Sequence, residues 1–421
     1  MLLLGLLYIK KYMKSLSSFL LLFVMVFTGC KSGTSENSDA AAANSADALA
    51  IPALFERTGP LATASEWPKT KQKVAELNQR LAKNSNDVKA RLQIATIYLT
   101  EARITGEHPY YYPAIEKILD GVLLIDPKSF EATVFKSSVK MSQHQFAQGR
   151  QLAEKAKQLN HDNAYPYGIL VDANVELGNY EEAIANSDKM QVLKPSLESY
   201  SRASYLREIY GDYPGAIEAM KLAVTAGLPG SEPQCWSRNT LAQLYINTNQ
   251  PEKAEAEYKA ILASRPSYAF ALAGLAKIAH QRKDYKTALT LLDSAAAIMP
   301  EFSFHEQMAD IYAEQGMKDK ATAKYNEVAV MLMKDAASGH SVSLEMSKLM
   351  IKMGKLEEAK KYALEEYAIR PTNIDVNKEL AWIAYKEKDF KKATDYLHTA
   401  LRTNSKDPEL LKRAAEINKT L

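Results

Sequence analysis

A small residue returns nine times along this chain at almost constant intervals. Ala114, Gly149, Ala183, Ala216, Ala254, Ala288, Ala321, Ala359 and Ala393 are separated by 35, 34, 33, 38, 34, 33, 38 and 34 residues. The clearest unit, Asn163 to Ser196, divides into two helical patterns joined at Gly178 and Asn179 and stopped by Pro195. Asn179 reads as the cap of the second helix, Glu182 completes a capping box, and Glu181 and Glu182 oppose the positive end of the helix dipole. The same punctuation recurs at Gly211, Asn249, Lys283, Gly316, Gly354 and Lys388. Such a period constrains the fold strongly. A lone helix pair cannot bury its apolar face, so consecutive pairs must stack, each touching chiefly its neighbours.

This period resembles the tetratricopeptide repeat. In the fifth unit Leu241, Ala242 and Tyr245 match that family's L-G/A-x-x-Y core, Ala254 and Tyr258 its A-x-x-x-F/Y, and Pro266 its closing proline. Leu275, Ala276, Ala288, Leu292, Ala295 and Pro300 do the same in the sixth. The resemblance implies an all-α, right-handed superhelical solenoid of about nine helix-turn-helix repeats over residues 87–406. Capping helices are expected at 67–86 and 407–421. Each alanine is small because two helices cross there and added bulk would part them. Lys136, Ser137 and Lys140 of the second unit stand where the pattern asks for apolar or small residues. The first unit is expected to carry a lengthened turn, Ile104 to Ala114, presenting the tyrosine-rich stretch HPYYYP as an aromatic cluster. Extra residues at 225–233 and 333–341 account for the two 38-residue spacings.

The amino terminus carries a different signal. Lys10, Lys11 and Lys14 precede an apolar run from Phe19 to Phe27, and Thr28 and Gly29 lead into Cys30. A basic start, a short apolar stretch and a small-residue processing site make residues 1–29 a signal peptide. The site resembles the bacterial lipoprotein signal, which implies cleavage before Cys30 and a thiol carrying lipid. Two or more acyl chains suffice for stable anchoring. Lys31 in place of Asp favours the outer membrane by resemblance to the common sorting rule. Residues 30–66 then form the lipidated terminus and a flexible tether, of which 31–50 lack aromatic residues and any core pattern. Met13 is a second plausible start.

Loss of the signal removes three lysines and no acidic residue, leaving equal numbers of basic and acidic residues. Neither a nucleic-acid footprint nor a polybasic membrane face is suggested. With two cysteines, Cys30 and Cys235, no disulfide framework is available. The seven histidines are scattered, no two within 14 residues, and no H-E-x-x-H, G-x-G-x-x-G, phosphate loop or G-x-S-x-G is present. Met346, Met350 and Met353 share one helix face and read as packing rather than as a soft-metal site. No catalysis, cofactor or metal is expected.

What remains is binding. Tetratricopeptide arrays line a concave groove with side chains of each first helix. Carried onto this sequence, those positions give Tyr165, Tyr205, Trp236, Asn239, Phe270, Lys277, Lys378, Trp382 and Tyr385 as partner-binding candidates, with Asp172, Glu208 and His280 beside them. A repeated basic set for gripping a partner's C-terminus is not seen. The expected function is a non-catalytic envelope lipoprotein scaffold that binds partner proteins or peptides through this groove. The alternatives are an accessory subunit of an envelope enzyme or transport system, and a polymer or peptide capture module.

Overall fold

A computed structural model describes residues 49–419, so the signal segment, Cys30 and most of the tether lie outside the described residues. The described residues form 21 helices and no strand. A short α1 (Gly59–Ala62) and a capping helix α2 (Trp67–Lys83) precede nine antiparallel pairs. These are α3 (Val88–Thr105) with α4 (His108–Ile125), α5 (Phe130–Ser142) with α6 (Phe146–Leu159), and α7 (Ala164–Leu177) with α8 (Tyr180–Leu193). Next come α9 (Leu197–Ile209) with α10 (Tyr213–Ala226), α11 (Glu232–Asn247) with α12 (Pro251–Ser264), and α13 (Ala269–Gln281) with α14 (Tyr285–Ile298). The last three are α15 (Phe302–Glu314) with α16 (Lys318–Ala337), α17 (Ser343–Lys352) with α18 (Leu356–Ile369), and α19 (Ile374–Lys386) with α20 (Phe390–Ala400), followed by α21 (Pro408–Asn418). No helix among the described residues is long and apolar enough to cross a membrane.

The pairs are built as the repeat requires. All nine small residues of the register are buried, and packing runs continuously from one pair to the next. Every turn within a pair passes through one residue in the left-handed region, with φ between 56° and 79°. Five of these residues are glycine and four are His144, Asn249, Lys283 and Lys388, which accept the same conformation. At the second unit's departures from the pattern, Ser137 is fully buried and donates to the Gly149 carbonyl at 2.6 Å. Ser204 to Ala216 (2.7 Å) and Ser347 to Ala359 (2.9 Å) repeat this bond, always across 12 residues. A serine therefore fills the small site while tying the first helix to the second. Lys136 and Lys140 pair with Asp120 and Glu116 of the preceding helix. Met346 and Met350 are buried in a hydrophobic cluster.

Two local expectations need correction. Asn179 makes no side-chain cap; its amide turns back to the Asn174 carboxamide oxygen at 3.3 Å. The lengthened turn at 104–114 is absent, because α3 and α4 each extend and leave only Gly106 and Glu107 between them. The tyrosines consequently belong to the start of α4, where Tyr111 and Tyr112 are buried. They hold the segment that precedes the solenoid: Tyr98 donates to the Pro52 carbonyl at 2.7 Å and Tyr110 to that of Ala53. Arg57 closes this strap with two 2.8 Å bonds to buried Glu101 and stacks on Trp67.

The sequence pattern contains no sign of what the nine pairs do together. Successive turns of the superhelix touch along a continuous seam, in which the turn inside one repeat meets the loop that follows the fifth repeat after it. Gln145 donates to the Gly339 carbonyl and the Ser341 amide donates to the Gln143 carbonyl (2.8 Å). One repeat on, Arg370 reaches Glu176 at 2.8 Å and the Tyr180 hydroxyl accepts from the Ile374 amide at 3.1 Å. The offset is 194 residues in three of these bonds, between five and six repeats. Contact is so close at Gly178 that a Cβ there would lie 2.6 Å from the Thr372 carbonyl carbon, and at Gly211 one would lie 2.5 Å from the Asn404 carbonyl oxygen. The extra residues at 333–341 supply one of these seam loops.

Candidate functional site

The first helix of each pair faces the inside of the superhelix, and there the proposed binding residues separate into groups. Asn239, Phe270 and Lys277, from α11 and α13, come together in one cleft of about 360 Å³. Gln243, His280, Phe304, Glu306 and Asp310 are also among its walls. Gln243 was missed by position counting; it sits one helical turn beyond Asn239, and that i, i+4 relation was the signal available. A hollow of about 460 Å³ also exists beside α6, but it is lined almost wholly by that helix's own solvent face and gathers no convergent groups.

The electrostatics of the cleft set it apart. Other cations on the inner face stand against carboxylates, and the cleft's own Glu306 and Asp310 are taken up in this way by Lys352. Arg202 contacts Asp172 at 2.6 Å, Arg413 contacts Glu379 at 2.7 Å, and Lys352 contacts Asp310 at 2.7 Å and Glu306 at 3.0 Å. Lys277 instead donates to the amide oxygen of Gln243 at 3.1 Å, while Gln243 donates to the Tyr258 hydroxyl at 2.5 Å. Burial lowers the Lys277 pKa, and Asp407 opposes this only from beyond contact. Beside it the Asn239 carboxamide oxygen is buried with no hydrogen-bond partner. A cation without its counterion, an unsatisfied acceptor and the partly buried ring of Phe270, edge-on to fully buried Phe304 at 5.5 Å, therefore line one opening. A buried polar group left in this way costs about 1–3 kcal/mol, which a ligand of matching chemistry would recover.

The remaining candidates are placed differently. Trp236 (45% exposed) and Tyr205 (39%) keep wet surface on the inner face. Tyr165 packs edge-on to Phe135 and shares a 3.0 Å hydrogen bond with Ser138. Trp382 and Tyr385 stack at 5.2 Å, with the Lys386 ammonium 4.3 Å from the indole and the Arg413 guanidinium at 5.4 Å. Lys378 is 9% exposed and paired with Asp375 at 3.2 Å, so its charge is already neutralised. Cys235 is buried, and burial raises its pKa.

Residues 236–351, which include this cleft, match the family model of the tetratricopeptide repeat-like domain. The chain folds as a tetratricopeptide-repeat solenoid. No curated protein sequence matches it. Among solved structures, a chain of the APC/C hetero-tetramer Cut9-Hcn1 superposes at a TM-score of 0.50 and 15% identity, covering 83% of this chain and 64% of that one. This chain thus spans just under two thirds of that neighbour. The human IFIT1 dimer with m7Gppp-AAAA gives a TM-score of 0.50 at 14% identity, covering 80% of this chain and 78% of the other. A thermophilic TPR protein of Thermus thermophilus gives 0.39 at 16% identity over 48% of this chain and 99% of its own. At these identities the likeness establishes the fold. Solenoids of this repeat serve generally as protein-interaction scaffolds, and the cleft lies where such a scaffold presents side chains to a partner.

Proposed function

We propose that this tetratricopeptide-repeat protein is a non-catalytic scaffold held in the bacterial cell envelope by lipid on Cys30, and that its inner face takes an acidic segment of a partner protein. The observation that carries the binding reading is the cleft of Asn239, Phe270 and Lys277. An uncompensated ammonium and an unsatisfied carboxamide ask for a carboxylate and a hydrogen-bond donor, and the partly buried ring of Phe270, packed edge-on to Phe304, offers an apolar side chain a surface beside them. The location reading is supported by the sequence alone, through the basic, apolar and small-residue order that ends at Cys30.

Two substitutions test these parts separately. Lys277→Met combined with Asn239→Ala is expected to reduce partner recovery from solubilised membranes about 10- to 100-fold, the loss of one charge-assisted hydrogen bond and one neutral one. Lys155→Met, on the solvent face of α6, should leave recovery unchanged. Equal recovery from all three proteins would remove the cleft from the account. Cys30→Ser is expected to move the protein from the membrane to the soluble fraction with its melting temperature unaltered, since the anchor lies outside the solenoid. Persistence at the membrane would refute lipid anchoring at that residue.

A further inference from the structure

A solenoid ribbon has two edges, one made of the turns inside repeats and one made of the loops between them. The turn edge of repeats one to four lies in the seam, where a Cβ added at Gly106, Gly178 or Gly211 would come within 2.8, 2.6 or 2.5 Å of the opposing loop. The turn edge of repeats six to nine is open. A Cβ at Gly316 or Gly354 would meet nothing within 4 Å among the described residues.

These two stretches of edge differ in charge. Taken five residues at a time from each left-handed residue, the seam turns read GEHPY, HQFAQ, GNYEE and GDYPG, with no lysine or arginine and four acidic residues. The open turns read KDYKT, GMKDK, GKLEE and KDFKK, with eight lysines against five acidic residues. The balanced totals of the sequence therefore conceal a local segregation. Lys392 pairs with Asp389 at 2.8 Å and Lys320 lies 5.4 Å from the Tyr312 ring. The other six, Lys283, Lys286, Lys318, Lys355, Lys388 and Lys391, are exposed and make no ion pair among the described residues. Apolar side chains stand among them. Three residues before the register position, Phe146, Tyr180 and Tyr213 are buried on the seam edge, whereas on the open edge Phe390 is 36% exposed and Tyr285 and Leu356 are half-buried. Met317 beside them is 42% exposed.

We infer that this open edge docks on an anionic lipid surface. A second copy of the chain does not fit it: the free loop edge of repeats one to three carries Asp126 and Asp162 against Lys128 and Lys194, and so offers no matching charge. Arg282, the arginine beside these turns, is already engaged by Glu255 at 3.0 Å. Unpaired lysines are mobile point charges, not planar forks, and suit phosphate headgroups that hold no fixed position. The apolar side chains between them can enter the headgroup boundary. The strap is also close to this edge. A Cβ at Gly59 would lie 3.6 Å from the Ala297 carbonyl oxygen, at the seam end of α14, and the other end of that 14-residue helix, ~20 Å away, is the open edge. The 19 residues from Cys30 to Ala48 span up to ~65 Å when extended. On the lipid-anchor reading, anchor and edge reach one bilayer; the affinity of the edge for lipid does not depend on the anchor.

The test uses residues 30–421 carrying Cys30→Ser, which keep the compact unit 48–421 whole and have neither the apolar run nor an acyl chain. Binding is measured by flotation with phosphatidylcholine vesicles and with vesicles in which about 30% of the lipid is phosphatidylglycerol. The anionic vesicles are expected to hold the protein at least about 10-fold more strongly. Lys286→Glu/Lys318→Glu/Lys355→Glu/Lys391→Glu should lose at least about 10-fold in this binding. Lys89→Glu/Lys128→Glu/Lys155→Glu/Lys194→Glu, the same charge change on exposed lysines of the first three repeats, should stay within about threefold. Both variants should melt at the temperature of the parent. Equal losses in the two variants would assign the binding to net charge and overturn the edge. Equal binding to both kinds of vesicle would overturn the lipid partner, and edge-dependent capture of an oligoglutamate peptide in its place would give the edge to an acidic protein.

Discussion

Arg370→Met is expected to cost about 3–5 kcal/mol of stability, the loss that follows when one member of a buried ion pair is removed. Arg370 is 3% exposed, bonds Glu366 at 2.6 Å within its own helix end and Glu176 at 2.8 Å across the seam, and stacks on Phe146 at 4.9 Å. Its removal strands Glu366, itself buried, without a counterion. Urea unfolding followed by circular dichroism would register the loss as a lower midpoint. Pairing the change with Glu366→Gln should recover part of the stability, because the orphaned charge goes with it. Because this arginine joins repeat three to the loop after repeat eight, the single variant should also expand in solution scattering. An unchanged midpoint and an unchanged radius of gyration would show that the seam contributes nothing.

Acid should loosen the same seam one repeat earlier. His144 and His340 meet edge to face at 4.2 Å, with Phe146 stacked on the first ring. Burial holds His144 down to about 4, helped by Arg370 and Lys348 and opposed by the Ser341 carbonyl and Glu366. Burial likewise holds His340 down to about 3, helped by His144 and His108 and opposed by Glu345. Both folded values lie below the ordinary histidine value of about 6.5, so the unfolded chain takes up protons first as pH falls. Their contribution is complete above about pH 6.5 and is lost progressively toward pH 4, a few kcal/mol at most given partial exposure of His144. Raised carboxyls such as Glu176 act in the opposite sense over pH 7 to 4.5, so the comparison must be internal. Relative to a His144→Gln/His340→Gln variant, the native protein should lose stability between pH 6.5 and 4. Parallel stability profiles for the two proteins would contradict the histidine assignment.

The repeat itself was legible because each small residue, each turn and each helix cap is a local requirement, and local requirements recur in sequence. Ala254 must be small whether or not the solenoid closes. The seam was illegible for the same reason. Which loop meets Gly178 is set by the sum of five small rotations between neighbours, from repeat three to repeat eight, and the local trace is residues such as Gly178, Thr372 and Arg370, each with an ordinary alternative reading. The tyrosines of HPYYYP were misplaced because helix extension on both sides of Gly106 depended on a strap some 50 residues away. In the cleft, position counting found Asn239, Phe270 and Lys277, since all three lie on first-helix inner faces. It could not tell Lys277 from Lys378. The difference lies in what stands opposite: Gln243 for one, Asp375 for the other.

The claim on which the account turns is that a partner segment lies inside the superhelix at this cleft. A photoreactive p-benzoylphenylalanine placed at position 270, and separately at the exposed outer position 192, tests it in intact cells with the anchor in place. Irradiation is expected to give one discrete adduct from position 270 and none from position 192, and the adduct should disappear when Lys277→Met is added. Adducts from position 192 with none from position 270 would put the partner on the outer surface and contradict the account.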